Sequence, residues 1–73
     1  MMQNYNKVQL KKEMPDSIKT ETKELLLLKE TPESKIKLIQ TYNEYVQGDY
    51  MKINCNPCSN YAKMMLRRIL NGN

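Results

Sequence analysis

Thr31-Pro32-Glu33-Ser34-Lys35-Ile36-Lys37-Leu38-Ile39-Gln40-Thr41-Tyr42-Asn43-Glu44-Tyr45-Val46 is the stretch whose reading decides the fold class of this chain. Thr31 offers a capping oxygen, Pro32 suits a first helical position because the N–H it lacks would have no partner there, and Glu33 favours the positive helix end. At about 100° per residue, Ile36, Tyr42 and Val46 fall within about 60° of Ile39, whereas Lys37, Thr41 and Glu44 point away. An amphipathic helix is expected, ended at Gly48-Asp49 by a left-handed glycine cap. Ile36, Ile39, Asn43 and Val46 also fit a short seam with one polar position, the pattern by which a buried Asn sets register between subunits; the alternative is a surface Asn.

On the N-terminal side, Pro15-Asp16-Ser17 supplies a capping oxygen for a helix from Ile18 to Glu30, with Ile18, Thr22, Leu25 and Leu28 along one face. The run Leu25-Leu26-Leu27-Leu28 spreads apolar atoms around a whole turn, which suits either a buried last turn or a second neighbour from another subunit. Residues 1–15 are polar with isolated Tyr5, Val8, Leu10 and Met14, and are read as a flexible arm preceding a helical domain of residues 16–73.

On the C-terminal side, Tyr50-Met51-Lys52-Ile53 reads as an extended connector, Asn54 or Asn56 as a cap and Pro57 as the first position of a last helix. Cys58, Tyr61, Ala62, Met65 and Ile69 share one side of it; Lys63 and Arg67 take the other, with Arg68 at the boundary and Asn71-Gly72-Asn73 as the stop. The expected fold is all-α: a small three-helix domain of two longer amphipathic helices and a basic C-terminal helix.

Seventy-three residues, 40% of them hydrophobic and none of them Trp or Phe, can build only a thin core, which self-association would supplement. There is no His, and the carboxylates are scattered among lysines, so the commonest general base and a close carboxylate pair are both missing; no enzyme is expected. The net charge is +4, and between Cys58 and Asn73 the charges are Lys63, Arg67 and Arg68 without an acid. These three cations are the candidate partner-binding residues, for an acidic protein surface, a nucleic acid or an anionic nucleotide at an oligomer interface, set against the plainer reading of a solvated helix face. Lys11 and Lys12 would join them on nucleic acid, but Gly48 to Asn56 is too long for the turn of a helix-turn-helix. No apolar run is long enough for a membrane span, the N-terminus lacks a signal-peptide stretch, and a cytoplasmic location with reduced thiols is expected.

Cys55-Asn56-Pro57-Cys58 carries the one piece of reactive chemistry, at a helix start whose positive end favours a thiolate. Its spacing resembles the redox motif of the thioredoxin family, in which Cys55 would be the nucleophile and Cys58 the resolving thiol, although the βαβ surroundings of that motif are missing. Structural zinc needs four ligands and one chain supplies two, so Cys55 and Cys58 are candidate metal ligands only if two chains share the ion; otherwise no cofactor is expected. The third reading is a buried Cys58 beneath Tyr61 and Ala62.

Tyr42-Asn43-Glu44-Tyr45, then Gly48, then Cys55-Asn56-Pro57-Cys58 and a basic helix through Leu66 and Ile69 resemble short uncharacterised bacteriophage proteins. That resemblance spans about the C-terminal half of the chain and implies a viral origin and a host-cytoplasmic setting. Phage proteins of this size are often virion accessories, inhibitors that bind a host protein, or proteins that sequester a signalling nucleotide.

Overall fold

A computed structural model describes residues 8–71. The order is α1 (Asp16–Leu27), α2 (Pro32–Tyr45) and α3 (Asn56–Leu70), with no strand among the described residues. The fold is thus the expected three-helix all-α domain. None of these helices is long and apolar enough to cross a membrane.

α2 starts as its sequence dictates. The Ser34 amide donates to Thr31 Oγ1 at 3.0 Å, and the Thr31 amide donates back to Ser34 Oγ at 2.9 Å, a reciprocal capping box with Pro32 in the first turn. Its buried face is Ser34, Leu38, Ile39 and Tyr42, so Leu38 takes the place expected for Ile36, which lies at the exposed border. The helix also stops at Tyr45 rather than Gly48. Val46 is extended and forms an isolated antiparallel bridge with Leu10. The Lys11 amide donates to the Tyr45 carbonyl and the Gln47 amide to the Gln9 carbonyl, both at 2.8 Å, so the backbone groups leaving α2 find partners outside the helix.

Those bonds change the picture of the N-terminal segment. Residues 1–7 of the expected arm lie outside the described residues, while residues 8–15 run along the domain and bury Val8 and Met14 in its core. Lys12 pairs with Glu44 and sits 5.2 Å from the Tyr45 ring centre, on the outside of the same junction. That pair holds the Lys12 ammonium above and the Glu44 carboxyl below its usual pKa, chiefly through their mutual hydrogen bond.

α2 and α3 form the main helix interface. The core joins Leu38, Ile39, Tyr42 and Val46 to Ala62 and Leu66, closed at one side by Val8 and Met14 and at another by Met51 of the connector. α1 is the least integrated helix: its one fully buried side chain is Thr22, with Ile18, Leu25 and Leu26 packed at the edge. It begins after Pro15 without a side-chain cap and ends at Leu27, a turn short of the expected Glu30. Leu28 is extended and leaves the helical face that was expected to contain it.

Gly48 has a different purpose from the one its type suggests. Its backbone is not left-handed; instead, a Cβ there would press into the Tyr42 hydroxyl and lie 3.5 Å from Cζ of the same ring. Tyr42 is buried and rests edge-on against Tyr61, with ring centres 6.1 Å apart, so the ring cannot simply withdraw. Gly48→Ala is therefore expected to cost about 1–3 kcal/mol through overpacking, and Tyr42→Phe in the same chain should recover most of it. Urea unfolding of the double-mutant cycle measures this; additive losses would show that the two positions do not collide.

Candidate functional site

α3 carries three longitudinal stripes. Ser59, Ala62 and Leu66 are buried; of the expected apolar face Ala62 is fully buried, while Cys58, Met65 and Ile69 are half-buried and pack against the core, so the most buried line is turned from that face toward Leu66. Cys58, Tyr61 and Met65, together with Arg68, also line an open groove of about 960 Å³ that residues 47–52 of the connector border as well. The third stripe, with Lys63 and Arg67, turns toward α1 and the link that follows it.

This phase decides what the predicted cations do. Lys63 Nζ lies 3.3 Å from Glu30 Oε2, an ion pair that ties α3 to the α1–α2 link. Arg67 is exposed and borders a smaller hollow of about 310 Å³ with Lys23, Leu26, Leu27 and Leu70. Arg68 is on the groove. Consecutive residues on a helix diverge by about 100°, so Arg68 serves a different surface from Lys63 and Arg67, and the three cations do not share one face.

Cys55 and Cys58 are joined in a disulfide, with Cα atoms 5.2 Å apart, where reduced thiols were expected. The local backbone explains the closeness. The Cys55 amide donates to the Lys52 carbonyl at 3.1 Å and the Cys58 amide to the Cys55 carbonyl at 3.2 Å, two successive turns that set both cysteines on one side at the opening of α3. Cys55 occupies the N-cap position without a side-chain cap bond, so neither expected Asn cap is present. Cys58 is half-buried beside the groove instead of lying fully beneath Tyr61 and Ala62. With both sulfurs in one bond, shared zinc could concern only the reduced protein; no group of three or more metal-binding side chains occurs among the described residues.

The chain matches no family model, no curated protein and no solved structure.

Two residues outside the predicted site matter for the groove. Tyr50 on the connector is 75% exposed and Tyr61 on α3 is 47% exposed, and both line it. Tyr61 was visible in the spacing Tyr61, Met65, Arg68, which repeats at helical intervals; Tyr50 has no such signal because its place depends on the connector's path. That path is held by Asn43. Its Nδ2 donates to the Met51 carbonyl at 2.8 Å, and the Met51 amide donates to Asn43 Oδ1 at 2.9 Å, so one side-chain amide pairs with the backbone as a neighbouring strand would. Asn43 thus organises its own chain, in place of the intersubunit seam or the bare surface position. Burial first, then Tyr61 and Asp49, push the Tyr42 hydroxyl above its ordinary pKa. The stability linked to neutral Tyr42 is present below the unfolded value and is lost as pH rises through the raised one.

Proposed function

We propose that this chain is a non-enzymatic helical binding module that assembles with copies of itself through the C-terminal ends of α1 and α3, and that its outward cations meet an acidic protein partner. The observation that carries this reading is the exposure of Leu27 at 86% and Leu28 at 67%. Both lie at the end of the helix that contributes least to the core, where Leu27 borders the hollow with Leu26, Leu70 and Arg67. Fully burying a leucine is worth about 1.5–3 kcal/mol, a gain this chain does not obtain within its own domain. Projecting leucines and a hollow on one end are self-complementary, as a two-fold interface requires.

An acidic protein is favoured over nucleic acid because Lys63 is engaged with Glu30 and Arg67 and Arg68 diverge, whereas phosphate binding gains from cations that converge. A module of this kind would suit a phage accessory or host-binding protein, the class its C-terminal half resembles. Sedimentation equilibrium of the wild type and Leu27→Lys tests the assembly. The wild type should dimerise, and the variant, altered at an exposed position, should dissociate at least about tenfold more readily while keeping its helical content. A wild type that stays monomeric at millimolar concentration removes the assembly reading.

A further inference from the structure

The connector between α2 and α3 is held from one side, and its other side is the edge of a strand. Asn43 takes both the N–H and the C=O of Met51 with one side-chain amide. Those two groups must therefore point the same way, which makes the backbone extended at Met51. Trans peptide planes then orient the neighbouring groups: the Tyr50 C=O points opposite the Met51 N–H, and the Lys52 N–H points opposite the Met51 C=O. One acceptor and one donor thus face away from α2. No hydrogen bond among the described residues engages either of them. The edge ends at Lys52, whose carbonyl accepts from the Cys55 amide as the chain turns into α3. Side chains alternate in the same way, with Met51 buried and Tyr50 and Lys52 exposed.

We propose that residues 50–52 are a docking edge for an extended acidic segment of a partner protein, which adds to them as a neighbouring strand. A peptide N–H donates to the Tyr50 C=O, and a peptide C=O accepts from the Lys52 N–H. These main-chain bonds supply affinity, and alternate side chains supply selection. Carboxylates at alternate positions of the segment lie on the outer face beside Lys52, as opposite charges do across a strand pair. The groove that Tyr50, Met51 and Lys52 line is bordered by two cations, Lys52 and Arg68, against one acid, Asp49, so the charge around the edge also suits an acidic segment. A second copy of the chain, with its net charge of +4, would instead bring another Lys52 to the same short edge. The proposal rests on the acidic-partner reading and gives that partner a form; it is independent of assembly at the leucine end.

The probe is a heptapeptide of alternating valine and glutamate, capped at both ends and titrated into isotope-labelled protein. At saturation the Lys52 amide is expected to exchange its hydrogen at least about tenfold more slowly, while the Met51 amide, already bonded to Asn43, changes little. Lys52→Pro removes the donor and Lys52→Ala only the charge. A proline suits this position because the residue before it must be extended, as Met51 is. Lys52→Pro should weaken the peptide at least about tenfold more than Lys52→Ala does. Should Lys52→Pro lower the melting temperature, the wild type is tested with the same peptide methylated on every backbone nitrogen. That peptide keeps its charge but has no N–H for the Tyr50 carbonyl, and it should bind at least about tenfold more weakly. A peptide that binds equally well when methylated, without slowing Lys52 exchange, overturns the strand edge and leaves the acidic-partner reading standing. Failure of both the peptide and a folded acidic protein to bind at millimolar concentration removes the two readings together. Protection of the Lys52 amide that grows with protein concentration in the absence of peptide assigns the edge to a second copy and overturns the proposal.

Discussion

Leu66→Asp is expected to abolish the cooperative unfolding transition, whereas Arg67→Glu, one residue along, should melt with the wild type. Leu66 is fully buried at the α2–α3 interface, in contact with the apolar cluster that includes Leu38, Ile39 and Ala62. An aspartate there forfeits the burial of a leucine and places a carboxylate among apolar atoms with no cation provided for it, a combination that costs more than about 4–5 kcal/mol. A single core in a chain this short rarely supplies more than about 3–5 kcal/mol, so little folded protein should remain. Arg67 faces water beside the α1 leucines, and reversing its charge removes nothing from the core. Circular dichroism melts of both variants decide the matter: comparable loss in the two would mean that the buried stripe of α3 has been misplaced. If Arg67→Glu is folded, its binding to an acidic protein surface should weaken, and the loss should shrink as salt is added.

Asn43→Leu should destabilise the protein by about 2 kcal/mol, because a side chain of similar size fills the same space but leaves the Met51 N–H and C=O without their partners. For a chain of this length, that corresponds to a fall of roughly 10 °C in Tm. The same variant should lose hydrogen-exchange protection at the Met51 amide before the helices lose theirs, since the connector is the part that Asn43 holds. Retained protection there, with an unchanged Tm, would show that the connector is placed by Met51 burial alone. The effect reaches the groove as well, because residues 47–52 form one of its walls.

The elements of this fold were legible wherever local chemistry dominates. Thr31 and Pro32 announce the start of α2, and the helical spacing of Ile39 and Tyr42 announces its face. Pro57 marks the start of α3 in the same way. Errors gathered where a residue's partner is distant in sequence. Gly48 resembles a helix stop, but the backbone leaves the helix earlier, where the Lys11 amide and the Gln9 carbonyl offer bonds to Tyr45 and Gln47 on either side of the Leu10–Val46 bridge. Asn43 resembles a polar seam position, but Met51 takes both ends of its amide. On α3, Tyr61, Met65 and Leu66 all neighbour Ala62, and composition does not decide which of them is fully buried beside it.

The sequence by itself determined an all-α chain of three short helices with a thin core, because capping groups and the helical period act within a few residues of one another. Tertiary structure alone decided which line of α3's apolar side is fully buried, that Lys63 pairs with Glu30 and that Arg68 borders the groove. It also decided that the Cys55–Cys58 pair borders a groove and that Leu27 and Leu28 remain in water. The physical reason is that rotating a helix by about 100° exchanges one stripe for the next at little local cost. The choice among stripes falls to whichever packs best against the other helices.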